Sequence, residues 1–126
     1  MRASFDTNIL VDYLNGVAGA KTELARFDER VISVVTWMEV MVGAEPEEEG
    51  PIREFLGGFE VAPIDSSVAE EAVKLRRERR LRLPDAVIWA TARTRGALLV
   101  TRNTKDFPAD EPGVRVPYVV RGDSAR

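Results

Sequence analysis

Three acidic side chains stand inside apolar stretches: Asp6 in Ser4-Phe5-Asp6-Thr7-Asn8-Ile9-Leu10, Glu39 in Val35-Thr36-Trp37-Met38-Glu39-Val40-Met41, and Asp85 in Leu83-Pro84-Asp85-Ala86-Val87-Ile88. Ionised carboxylates are almost never fully buried unless paired or bound to a metal, because stripping water from the charge is costly. No basic partner is expected for these acids from their sequence neighbours. The chain has no His and no Cys, which removes the usual general base, the thiolate nucleophile and the ligands that zinc prefers. What is left is oxygen chemistry. Clustered carboxylates suit Mg²⁺, or alternatively Mn²⁺, and such ions act on phosphate esters by activating water and stabilising charge on the phosphoryl oxygens.

Each acid also has a purely structural explanation. Asp6 suits the N-cap of a helix starting at Thr7, Thr36-Trp37-Met38-Glu39 fits a capping box, and Asp85 beside Pro84 meets the preference for negative charge in a first helical turn. Their joint placement decides. The elements around them put all three on one rim, in a chain with no other candidate chemistry, and that constellation argues for a site.

Those elements alternate. A strand over Ala3 to Phe5 leads into a helix over Thr7 to Leu14, stopped after Asn15-Gly16, and a further helix spans Ala18 to Phe27. A strand at Val31 to Val34 precedes a helix over Trp37 to Val42. Glu45-Pro46-Glu47-Glu48-Glu49-Gly50-Pro51 reads as a solvated acidic loop, followed by a short helix at Ile52 to Leu56. Val61 to Ile64 is a third expected strand, Ser67-Val68-Ala69-Glu70 a capping box opening a helix to about Arg80, and Pro84 to Arg95 another helix with Gly96 beyond it. Leu98 to Thr101 and Val116 to Val120 complete the strands. Strands alternating with helices predict a three-layer α/β/α sandwich around a mainly parallel sheet, with the site beyond the carboxyl ends of the strands. Asp6 and Asn103 fall at such ends.

The 126 residues bound the chain to one domain, expected over 1–120 with a polar tail at 121–126. At 44% hydrophobic and 31% charged the composition is that of a folded globular protein. No leader and no membrane-length apolar run is expected, and the absence of Cys agrees with a reducing compartment, so the expected location is cytoplasmic. The net charge of −3 gives no global attraction for nucleic acid, so a polyanion would be held by a local basic patch or by bound metal. Arg76, Arg77, Arg79, Arg80 and Arg82 read first as a solvated face that suits the helix dipole, with RNA contact as the alternative. Trp37, Met38 and Met41 read as core, with an association surface as the alternative. Arg121-Gly122-Asp123 matches an adhesion tripeptide by chance.

Taken in order, Asp6-Thr7-Asn8, the segment Ser33 to Gly43 around Glu39, Pro84-Asp85-Ala86-Val87-Ile88-Trp89-Ala90-Thr91-Ala92, and Val100-Thr101-Arg102-Asn103-Thr104-Lys105-Asp106-Phe107 resemble the PIN-domain nucleases. Within these the chain looks closest to the VapC-type toxins of toxin–antitoxin pairs, small Mg²⁺-dependent ribonucleases neutralised by a partner protein. The resemblance implies that Asp6, Glu39 and Asp85 are metal-binding acids. It places Asn103 at a fourth position where family members often carry Asp, with Asp106 as a possible substitute. Thr7 and Asn8 are implied as supporting residues, while Arg102 and Lys105, by the positive charge they bring to the loop around Asn103, are expected as RNA contacts. The partners implied are an RNA substrate and a cognate antitoxin protein; a homodimer is also expected. Two competing classes are a noncatalytic PIN-like module that binds RNA or protein, and a phosphoryl-transfer or receiver domain. The latter expects a second acid beside the first, where Thr7 and Asn8 stand instead.

Overall fold

The computed structural model describes residues 1–120, so the 121–126 tail and the adhesion-like tripeptide lie outside the described residues. β1 (Arg2–Phe5) leads through α1 (Thr7–Leu14) and α2 (Ala18–Arg26) to β2 (Glu29–Ser33). α3 (Val34–Val42), a 3₁₀ turn (Pro46–Glu48) and α4 (Glu49–Leu56) precede β3 (Glu60–Ala62). α5 (Ser66–Arg79) and α6 (Leu83–Thr94) then return the chain to β4 (Leu98–Val100) and β5 (Val114–Arg115). The sheet order is β3-β2-β1-β4-β5, and every pairing is parallel.

Alternation along the strands sorts the layers. Ala3 and Phe5 of β1, Ile32 of β2 and Val100 of β4 join an apolar cluster with Ile9, Leu10, Leu24 and Leu56, so α1 to α4 cover one face. Leu99 points to the opposite cluster, where Val68, Leu75, Ile88, Trp89 and Phe107 place α5 and α6. This is the expected three-layer arrangement. β1 lies between β2 and β4, and connections leave these neighbours in opposite directions, so the switch in strand order opens a crevice beyond the carboxyl ends of β1 and β4.

Several local expectations need correction. The acidic segment is not an open loop: Pro46 starts a 3₁₀ turn, the Glu45 N–H donates to Glu48 Oε1 at 2.9 Å, and α4 already begins at Glu49. α5 is capped by Asp65, whose Oδ1 accepts from Val68 N at 3.0 Å, rather than by Ser67. α3 starts three residues earlier than expected because Ser33 caps it, with Oγ accepting from Val35 N at 3.0 Å. The last strand is Val114–Arg115, not Val116 to Val120. Thr101 N donates to Arg115 O, and Pro117 then lacks the N–H that a ladder needs.

Candidate active site

Asp6 follows β1 directly, and its backbone N–H still donates to Val100 O at 2.9 Å. Its side chain caps α1, with Oδ1 accepting from Thr7 N at 2.7 Å. The cap explains one oxygen only. Oδ2 accepts from the Thr101 hydroxyl at 2.7 Å and from Asn8 Nδ2 at 3.2 Å. Burial pushes the carboxyl up from 3.8 to about 6, against the Thr101 and Thr7 hydrogen bonds that favour the anion, and the charges of Asp85 and Glu39 push it further the same way.

Glu39 stands in the middle of α3 on its exposed side, clear of the helix start, so the capping-box reading of Thr36 to Glu39 does not hold. Its Oε1 accepts from the Thr7 hydroxyl at 2.5 Å, and Thr7 Oγ1 lies 3.1 Å from the buried Thr36 Oγ1. One helical turn thus presents Thr36 and Glu39 to the same hydroxyl. Asp85 lies in the first turn of α6, behind Pro84, and is 8% exposed. Burial raises its pKa; Arg82 opposes the shift, while Asp106 and Glu39 add to it. Arg82 Nε donates to Asp85 Oδ2 at 3.3 Å, so the expectation that no basic neighbour serves these acids fails at Asp85. The pair sits three residues apart at the helix start.

Asp6, Glu39, Asp85 and Asn103 line one cavity of about 360 Å³, with Arg82 and Arg102 in its wall. The loop after β4 is built on Thr101. Its hydroxyl, donated to Asp6, also accepts from Asn103 N at 3.0 Å. Asn103 then closes a turn with Asp106, donating from Nδ2 to Asp106 Oδ2 at 3.0 Å and accepting from Asp106 N at 3.3 Å. Asn103 therefore faces the cavity while the charge acting on Asp85 from this loop belongs to Asp106. Lys105 is exposed beside them. Arg102, expected as an RNA contact, lines the cavity and turns its guanidinium onto the buried Asp12, with Nη2 donating to Oδ1 at 2.8 Å.

Elsewhere, the basic run at the end of α5 is solvent-facing, with Arg79 paired to Glu111 and lying over Trp89. Trp37 and Met41 pack against the core, whereas Met38 is 46% exposed beside Glu39. Asp12 was not singled out by the sequence, which placed Thr101 only at a strand end, Thr36 in a capping box and Arg82 in a solvated basic run. Asp12 carried a signal, since it is another acid in an apolar helix.

Among the described residues, no three acids stand close enough together to form a ready-made ion site. The donor chemistry nevertheless fits a hard divalent cation: the candidate ligands are oxygens, and two carboxyls carry raised pKa values to which neighbouring acids contribute.

A family model described as PIN domain matches residues 4–109. Over 129 residues the chain is 32% identical to ribonuclease VapC10 of Mycobacterium tuberculosis, covering 96% of each chain. It is 29% identical over 119 residues to the tRNA(fMet)-specific endonuclease VapC of Shigella flexneri, covering 85% of this chain and 90% of that one. A toxin–antitoxin complex from Klebsiella pneumoniae contains a chain that superposes with a TM-score of 0.89 at 48% identity, covering 94% of this chain and 99% of its own. With the matched model spanning the strands, helices and loop that build the cavity, this chain belongs to the PIN domain family.

Proposed function

We propose that this protein is a Mg²⁺- or Mn²⁺-dependent endoribonuclease that hydrolyses RNA phosphodiester bonds, acting as the toxin of a toxin–antitoxin pair. The observation that carries the reading is the convergence of Asp6, Glu39 and Asp85, from three separate elements, on one cavity at the carboxyl end of the sheet. A divalent ion held there would lower the pKa of a water and neutralise charge developing on the phosphate. The chain's own residues prepare for that cation. Thr101, Thr7 N–H and Asn8 hold Asp6 through neutral donors, so no cation has to be displaced from those contacts. The Thr7 hydroxyl orients Glu39, and Arg82 limits the repulsion around Asp85.

In this reading Asp6, Glu39 and Asp85 are the ligands, and Asp106 supplies the negative charge that Asn103 lacks at the fourth position. Lys105, exposed on the same loop, contributes positive charge toward backbone phosphates. The protein works in the cytoplasm and pairs with itself and with an antitoxin. A cationic side chain of that antitoxin, set against the carboxylates, would compete with metal. Exposed Val11, Met38 and Leu83 lie beside Thr7 and Asn8, Glu39 and Asp85 respectively, giving such a partner apolar footing. The relatives named as VapC ribonucleases and the toxin–antitoxin complex support this assignment. Incubating the purified protein with structured and unstructured RNAs tests it: cleavage is expected in Mg²⁺ or Mn²⁺ and none in EDTA, and intact RNA throughout the panel in either ion would contradict it.

A further inference from the structure

Arg102 follows Thr101, the residue that grips Asp6, and precedes Asn103; it stands in the cavity wall, and its guanidinium is engaged by Asp12 of α1. Two residues one turn apart on that helix hold it. Asn8 Oδ1 accepts from Arg102 N at 3.5 Å, and the Asp12 carboxylate receives both Nε and Nη2 of the guanidinium. Asp12 is 4% exposed, and a buried carboxylate with a two-point guanidinium partner fixes that partner's geometry.

A third donor reaches Asp12 from the far end of the chain. Tyr118 OH donates to Oδ2 at 2.9 Å, and burial together with this acceptor raises the phenol's pKa. The segment carrying it is fastened along α2. Arg115 donates to the buried Glu23 from Nη2 at 3.0 Å, and the Tyr118 ring lies on Gly19, one turn before Glu23. A Cβ at Gly19 would come within 2.9 Å of Tyr118 Cγ, so the glycine in the first turn of α2 makes room for the ring.

We propose that Arg102 is a positioning residue, and that residues 114–118 form a strap which, through Tyr118 and Asp12, holds Arg102 and with it the Thr101–Asp106 loop against Asp6. This rests on the ribonuclease reading for its activity arm only. Arg102 thereby acts on the loop rather than on the phosphates of RNA. The strap explains why an acid is buried in α1, why glycine stands at position 19, and why the chain leaves the sheet after Arg115.

The test uses the full chain with Gly19→Ala, Tyr118→Phe, Arg102→Met, and Arg102→Met combined with Asp12→Asn. The last removes both charges and so keeps the question open should Arg102→Met alone fail to fold. In metal-free protein, amide hydrogen exchange at Asn103, whose N–H is donated to Thr101, should quicken about tenfold in Tyr118→Phe, the factor a single hydrogen bond commands, while Leu99 in β4 stays as in the wild type. With RNA at saturating Mg²⁺, kcat should fall by a comparable factor and KM should hold. Arg102→Lys should recover part of the loss. An RNA contact would instead raise KM at constant kcat and flatten the salt dependence by about 0.7 per lost phosphate contact. That result, or unchanged Asn103 exchange in the variants that fold, overturns the proposal. Failure of the wild type to cleave any RNA would sink the ribonuclease reading, and the exchange measurement would then judge the strap alone.

Discussion

Replacing Asp6 with Asn should stabilise the metal-free protein at neutral pH, because the folded state carries this carboxyl from 3.8 to about 6. Above pH 6 the anion is held in a buried place that disfavours it, and the shift corresponds to roughly 3 kcal/mol. The sign follows from proton binding. Between about pH 4 and 6 the folded state keeps a proton that the unfolded chain releases, so this group's contribution to stability falls as pH rises and stays low above 6. Asn caps a helix about as well as Asp and carries no charge, so Asp6→Asn should lack that loss. Its Nδ2 faces the donor Nδ2 of Asn8, which takes back part of the gain. Melting temperatures in EDTA from pH 4.5 to 7.5 should therefore show the variant gaining on the wild type as pH rises. About two-thirds of that shift falls between pH 4.5 and 7.5, so at roughly 4 °C per kcal/mol for a domain of this size the relative gain should be about 8 °C. Mg²⁺ should reverse the ranking at about a thousand times its dissociation constant, where a ligand bound only by the folded state adds about 4.1 kcal/mol. A difference between the two proteins that does not change with pH would refute the claim that Asp6 is a desolvated acid.

Thr101→Val keeps the shape but removes the hydroxyl given to the Asp6 anion, so the Asp6 pKa should rise further and the acid limb of the cleavage profile should move to higher pH, at a stability cost of about 1.5–3 kcal/mol above pH 7. An unmoved acid limb would contradict this. Phe107→Ala should cost about 3–5 kcal/mol by denaturant melting, because the ring is fully buried and meets Trp89 edge-on at 5.5 Å; a loss below 1 kcal/mol would mean that the loop is not anchored there. Removing Arg82 by substitution with Met should raise the Asp85 pKa, read by titration of its carboxyl carbon, since the guanidinium opposes the upward shift; a fall would show that the pair does not form in solution.

The alternation of strands and helices was legible because it rests on local periodicity, and Asp6, Glu39 and Asp85 were legible because a charge in an apolar run demands a reason. The same criterion applied to Asp12 would have flagged it too. Its partners Arg102 and Tyr118 stand 90 and 106 residues away, however, so its purpose could not be read from spacing. Thr101 escaped notice because a hydroxyl ending an apolar strand carries no signal until the strand is laid beside β1. Capping assignments failed where several candidate residues adjoin: Asp65 wins over Ser67, and Ser33 over Thr36, since the residue in extended backbone just before the first turn takes the role. The final strand was misplaced because β-branched residues at Val116, Val119 and Val120 suggested pairing, whereas Pro117 and the docking of Tyr118 on α2 draw the chain off the sheet.

The central claim is that Asp6, Glu39 and Asp85 gather a divalent ion to cleave RNA, and it is met most directly by titrating Mg²⁺ into the wild type, Glu39→Gln and Asp85→Asn while following cleavage of one RNA. The wild type should be silent in EDTA and rise to a plateau with added Mg²⁺. Both variants should remain folded and cleave at least about a hundredfold more slowly at the wild-type plateau concentration. Cleavage by rigorously metal-free protein, or variants that keep the wild-type rate and Mg²⁺ dependence, would contradict the assignment of these carboxylates.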